Sequence, residues 1–225
     1  MIKQSNLELF SDADVLAKTV TQRIRSACES AIEARGAFHL VLAGGTTPKH
    51  CYELLAKEDL PWHKLHIYFG DERCLTVGDV ERNDTMAKEA WLDKVSIPAN
   101  QIHSMPAELG PDAGAKRYNT LLAKAPQLDL VLLGLGEDGH TASLFPNNPA
   151  LQDARNAVPV FDAPKPPPER ISMGKSYINK ARNQWFIVTG SGKCDAMTQI
   201  MSGQPLPATL FEQAHWLVEK ASMPV

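Results

Sequence analysis

The sequence predicts an open α/β fold: a mostly parallel, doubly wound sheet with helices on both faces, in one domain spanning residues 1–225. Three observations carry that expectation. Helical and strand patterns alternate along the whole chain, which is how parallel sheets are built. The run Leu128 to Leu133 is apolar without alternation, as in a strand buried on both faces. Four strands end in polar, glycine-bearing tips, and the carboxyl ends of parallel strands gather on one edge, where ligands bind.

Asp12 or Asp14 can cap a first helix running to about Arg35, with Val15, Ala17, Val20, Ile24 and Ala27 as apolar positions and Gly36 as its stop. Phe38 to Ala43 reads as a strand. The Gly44-Gly45-Thr46-Thr47-Pro48 turn follows, with Pro48 suited to the first position of a helix to about Lys57. Leu65 to Phe69 is the next strand. Asn83 to Lys94 and Pro111 to Ala125 read as helices. Strands are then expected at 128–133, near 157–161, at 170–173 and at 183–188. Lys193 to Met201 reads as a helix and His215 to Glu219 as a last strand. Ala163-Pro-Lys-Pro-Pro-Pro-Glu169 is a stiff extended segment, either a plain connection or a flap over a site.

Composition narrows the function classes. Hydrophobic residues at 44% and charged residues at 22% are ordinary for a soluble globular protein. A net charge of −3 gives no general pull toward nucleic acid or an anionic membrane, so any bound anion needs a local site. No apolar run approaches the roughly 20 residues that span a bilayer. The N-terminus is too polar for a signal peptide, and Cys28, Cys51, Cys74 and Cys194 lack metal or disulfide spacing, so a cytoplasmic protein with free thiols is expected. No long apolar surface stripe stands out, which points to a monomer.

The chemistry-bearing residues cluster at the strand tips. Gly134 and Gly136 break the apolar run and lead into Glu137, Asp138, Gly139 and His140. A histidine beside two carboxylates is a candidate general base; the alternative is a polar loop capping a strand. The 44–48 turn sets backbone N–H groups and two hydroxyls at a helix N-terminus, which suits a phosphate or merely closes a capped turn. It lacks the Gly-Lys-Ser/Thr ending of a nucleotide-triphosphate loop. Asp71-Glu72-Arg73 offers a guanidinium that can fork onto a phosphate or join a solvated salt bridge. Arg170 and Lys193 add two cations near strand ends. Gly134, Gly136 and Gly139 match the dinucleotide fingerprint formally, but Pro146 and Pro149 cut the next helix short and Asp138 repels a pyrophosphate. His63 and His66 form a metal-like pair without a third ligand nearby. His39, His50, His103 and His215 read as isolated, and the four tryptophans as core residues.

In order, the set GGTTP, GDERC, RND, GLGEDGHTASLFP, RIS and GSGK resembles the 6-phosphogluconolactonase family over nearly the whole chain from Phe38. The resemblance implies an open α/β sheet shared with glucosamine-6-phosphate deaminases and ribose-5-phosphate isomerases. It implies metal-free hydrolysis of 6-phosphoglucono-1,5-lactone to 6-phosphogluconate in the pentose phosphate pathway, with no cofactor. By position, the family's catalytic histidine falls on His140, with Asp138 or Glu137 to orient it. Its substrate-binding residues fall on Gly44, Gly45, Thr46, Thr47, Asp71, Arg73, Asn83, Gly136, Arg170 and Lys193. Two departures stand out. Arg82 precedes Asn83 where the family often has serine, and Gly174-Lys175 replaces a Thr-Leu-Pro run, exchanging a hydroxyl at 174 for a charge at 175.

In the implied reaction, neutral His140 takes a proton from water as it adds to C1, then returns one to the leaving ring oxygen. Backbone N–H groups of the glycine loops would meet the oxyanion. Two rivals compete: an amino-sugar-phosphate isomerase or deaminase on the same fold, and a non-catalytic sugar-phosphate sensor. The deaminases usually carry a further carboxylate shortly after Asp-Gly-His, where this chain has Thr-Ala-Ser-Leu-Phe-Pro.

Overall fold

A computed structural model describes residues 2–224. Its main sheet has seven strands: β1 (Leu7–Phe10), β2 (Phe38–Leu42), β3 (Leu65–Phe69), β5 (Ile102–His103), β6 (Leu130–Leu133), β9 (Asn183–Val188) and β10 (His215–Glu219). All neighbours are parallel, in the order β1-β10-β9-β6-β2-β3-β5. Three further strands, β4 (Asp71–Arg73), β7 (Ala157–Val160) and β8 (Arg170–Met173), pair antiparallel in a separate sheet ordered β4-β8-β7. The helices are α1 (Ala13–Arg35), α2 (Thr46–Leu55), α3 (Asn83–Ala90), α4 (Pro111–Leu122), α5 (Lys175–Ile178) and α6 (Cys194–Met201), with short 3-10 turns between.

Sequence explains much of this locally. Asp12 caps α1 by accepting from Val15 N at 2.8 Å, and Gly36 ends it with its N–H on Ile32 O. Leu16, Val20, Ile24 and Cys28 recur at helical spacing and are fully buried. Every residue of β2 and β6 is buried, so both faces of the sheet are covered. The chain winds outward in one direction from β2 to β3 and in the other from β6 through β9 to β10. The crevice between β2 and β6 is therefore a topological switch point, and the tips of β9, β6, β2 and β3 lie side by side above it.

Four expectations need correcting. Strands 157–160 and 170–173 exist but belong to the antiparallel sheet, because β8 finds the Asp71–Arg73 strip as its partner. Pro48 occupies the third helical position, since α2 begins at Thr46; its missing N–H still falls among the first-turn donors that no helix satisfies. The helix expected to Lys94 ends at Ala90 and resumes as a 3-10 turn over Leu92–Lys94. His39 and His103 are not isolated. On adjacent strands, the rings of His39, His66 and His103 stack, with centroids 4.7 Å and 5.6 Å apart.

Burial, then the charge of neighbouring His66, pushes His39 down to about 4. Burial also lowers His66 and His103, the latter helped by His66. Asp129 pulls His39 upward, while Arg35 and His103 reinforce the downward shift. The folded state thus favours the neutral ring, whereas the unfolded ring takes up its proton near the ordinary 6.5. Between those values the unfolded chain holds more protons, so stability present above 6.5 is lost as pH falls toward 4. The expected loss from His39 alone is up to about 3 kcal/mol between pH 7 and pH 4. Urea denaturation across that range should show it, and His39→Gln should flatten the slope. An unchanged slope in the variant would rule out this assignment.

Candidate active site

The four tips converge on one cavity of about 310 Å³. Gly44 and Gly45 reach it from β2, Asp71 and Arg73 from β3 by way of β4, Gly136 and His140 from β6, and Lys193 from β9. Asn83, at the start of α3, and Arg170, at the start of β8, complete the predicted group. Asp138 stands behind His140 instead of on the wall. Thr46 and Thr47 do not border the cavity; the Thr47 hydroxyl pairs with that of Thr189 at 2.5 Å and ties the β2 tip to the β9 tip.

Asp138 Oδ1 lies 2.5 Å from His140 Nδ1 and also accepts the His140 backbone N–H at 3.2 Å. Burial raises the Asp138 carboxyl, but the hydrogen bond and charge of His140 outweigh it and bring it down to about 2. Of the two carboxylates the sequence offers to His140, geometry selects Asp138. Glu137 turns away and pairs with Lys165 at 2.9 Å. The imidazole packs on Phe145, with ring centroids 4.4 Å apart. Gly136 has no side chain for a plain reason: a Cβ there would lie 2.0 Å from His140 Nδ1. Gly136 N–H donates to His140 O and Gly139 N–H to Gly136 O, so these two donors are spent within the loop and cannot meet an oxyanion.

A buried carboxylate organises the opposite wall. Glu72 is wholly buried and accepts the backbone N–H groups of Arg73, Asn83 and Asp84 at 2.8–2.9 Å. Burial pushes it up to about 7 against those donors. The arrangement fixes the start of α3, so Asn83 Nδ2 donates to Asp71 O and Oδ1. A Cβ at Gly44 would come within 2.1 Å of Asn83 Oδ1, so the β2 tip passes this amide only as glycine. Asp71 also accepts from Ser143 Oγ at 2.6 Å, which joins the β3 tip to the segment after His140.

The departure at Arg82 is structural. Its buried guanidinium donates to Asp84 Oδ1 at 2.8 Å and reaches Leu75 O, Met105 O and Glu108. The departure at 174–175 adds no charge to the site, because neither residue borders the cavity. Gly174 instead abuts the Arg155 carbonyl, which a Cβ would meet at 2.1 Å.

Cations dominate the rim. Arg73 donates from Nη1 to Glu81 O, and its buried Nε has no partner among the described residues. Arg170 is buried and committed to the proline segment: Nε donates to Pro167 O, and Nη2 to Lys165 O and Pro166 O. Its guanidinium carbon sits 5.5 Å from the centre of the Phe145 ring. Sequence reasoning missed Lys165, which borders the cavity from that segment. The signal was its place as the single ionisable side chain between Pro164 and Pro168. Among the described residues, no three His, Cys, Asp or Glu side chains gather to hold a metal ion, and His63 and His66 stay apart on a turn and a strand.

Fold and site define an α/β protein whose switch-point cavity pairs a carboxylate-held histidine with a cationic rim, suited to a small anionic ligand. The chain belongs to the glucosamine-6-phosphate isomerase/6-phosphogluconolactonase family, whose model matches residues 11–219. It is 39% identical to the 6-phosphogluconolactonase of Mycobacterium tuberculosis over 214 residues, covering 88% of this chain and 87% of that one. It is 36% identical to that of a Nostoc species over 208 residues, covering 88% and 86%. The crystal structure of 6-phosphogluconolactonase from Thermotoga maritima superposes with a TM-score of 0.88 at 27% identity, covering 95% of this chain and 99% of that one.

Proposed function

We propose that this protein hydrolyses 6-phospho-D-glucono-1,5-lactone to 6-phospho-D-gluconate in the oxidative pentose phosphate pathway. The observation that carries the reading is the 2.5 Å contact of His140 with Asp138 at the edge of a cation-rimmed cavity. With Nδ1–H donated to Asp138, the Nε2 lone pair is the one left to act. Nε2 takes a proton from water while the water oxygen bonds to C1 and the carbonyl becomes an oxyanion. Collapse of that intermediate breaks the bond from C1 to the ring oxygen. The imidazolium returns its proton to that oxygen, and Asp138 stabilises the charged ring meanwhile.

The phosphate sits against Arg73, Lys193 and the backbone of Gly44 and Gly45, which border the cavity ahead of the α2 N-terminus, where the helix dipole favours an anion. Asp71, Asn83 and Gly136 shape the wall that holds the sugar, and Arg170 braces the proline segment beside it. Holding the phosphate fixes C1 against the water, which is worth more than the binding itself. The deaminase rival loses ground on this geometry, because Ala142 and Phe145 present an apolar wall after His140 where that chemistry uses a carboxylate. The same reading treats the chain as one functional domain, a cytoplasmic monomer. Its four free cysteines suit a reducing compartment.

Turnover of the lactone, generated in situ from glucose 6-phosphate and corrected for spontaneous hydrolysis, tests the proposal. Strong acceleration is expected. Phosphate-dependent binding without acceleration would favour the sensor instead.

A further inference from the structure

We propose that Lys165 is a phosphate ligand of the substrate, carried over the cavity on a strap that Arg170 holds in shape, with Glu137 occupying its ammonium until the phosphate arrives. The proposal rests on the lactonase reading for the identity of that anion.

The strap is residues 163–168. Ala163 N–H donates to Pro168 O at 3.0 Å and closes it, while Cys74 N–H donates to Glu169 O and ties its base to β4. Inside it, the Arg170 guanidinium gathers the carbonyls of Lys165, Pro166 and Pro167 at 2.9–3.1 Å. Two of its three nitrogens are thereby spent, so Arg170 cannot offer the bidentate fork that makes arginine a strong phosphate ligand. What it does instead is fix the backbone of Lys165. The four prolines at 164 and 166–168 restrict the same backbone further, so little freedom is lost when the strap engages a ligand.

The Lys165 side chain borders the cavity, as does Lys193, and the charges of both lysines act on Glu137. The ion pair of Lys165 with Glu137 joins two side chains that are 50% and 61% exposed. Such a pair is worth little in water and gives way readily to a better anion. A phosphate dianion offers more charge and more acceptor oxygens than one carboxylate. Glu137 therefore serves as a stand-in that keeps the ammonium at the rim, and Arg170 is a positioning residue.

Two readouts test this. In kinetics, Lys165→Met should lower the ratio of kcat/KM for the phosphorylated lactone to that for unphosphorylated glucono-1,5-lactone about tenfold, the cost of one charge-assisted hydrogen bond. Lys165→Arg should restore most of the ratio. Arg170→Met should lower it too, and adding Lys165→Met to that variant should lower it little further, because the two act as a unit. An unchanged ratio in Lys165→Met, or an equal fall for both lactones, would overturn the assignment. In calorimetry, Lys165→Met should weaken binding of 6-phosphogluconate about tenfold and leave the difference from gluconate correspondingly smaller. If the wild type turns over no lactone yet shows this calorimetric effect, the lactonase reading fails and the Lys165 assignment stands. Equal 6-phosphogluconate affinity in wild type and Lys165→Met overturns the assignment, whatever the turnover.

Discussion

Replacing His140 by glutamine is expected to lower kcat about a thousandfold, within the range set by positioned acid–base groups. KM should change far less, because the phosphate grip lies elsewhere on the rim. Glutamine keeps an amide near Asp138 and roughly the same bulk against Phe145, so the variant should fold with a melting temperature close to that of the wild type. The residual rate would report what positioning alone achieves. Wild-type kcat in this variant would remove His140 from the chemistry and reopen the choice of base. The comparison needs the rate of spontaneous hydrolysis subtracted at each substrate concentration, since the lactone opens slowly unaided.

Gly136→Ala is expected to be nearly as damaging without touching an ionisable group. The added methyl would stand 2.0 Å from His140 Nδ1 and 2.2 Å from its Cε1, so the ring or the loop must move by more than an ångström. A displacement of about 1 Å at a reacting group typically costs about a hundredfold in rate. The intruding methyl also separates Nδ1 from Asp138 and breaks the contact that fixes the imidazole tautomer. Overpacking here should cost about 1–3 kcal/mol of stability as well. Kinetics and thermal melting together check both effects. A variant with wild-type kcat would mean that the Asp138–His140 geometry is not what sets the rate.

The sequence showed five strands of the main sheet, β2, β3, β6, β9 and β10, through local signals such as the uninterrupted apolar stretch of β6, and likewise the Gly36 stop of α1. It missed β1, whose four residues Leu7–Phe10 are too short to read as a strand until β10 pairs with them. It did not show β4, because Asp71, Glu72 and Arg73 carry no strand pattern; they become a strand when β8 pairs with them. Nor did it show the two-residue β5, whose partner β3 is more than thirty residues away. Strands 157–160 and 170–173 were visible as strands, but periodicity says nothing about which sheet a strand joins.

The site divides in the same way. His140, Asp138, Arg73 and Lys193 stand at strand tips, and one topological rule predicts that such tips meet. The choice between Asp138 and Glu137 needed the turn at Gly139 in three dimensions. Arg170 was legible as a cation near a strand end, but its engagement with three strap carbonyls was not. Lys165 was hidden for that reason, since only the folded strap brings it to the rim.

The pairing of β1 with β10 joins Leu7 to Trp216 at the edge of the sheet. During synthesis at about 5–20 residues per second, β1 leaves the ribosome roughly 10–40 s before its sole neighbour exists. For that interval Leu7-Glu8-Leu9-Phe10 is an unpaired, β-prone segment, shielded from other nascent chains chiefly by its brevity and by the charge of Glu8. Among the strands of the main sheet, the outermost one at this end is thus made first and is among the last to be secured.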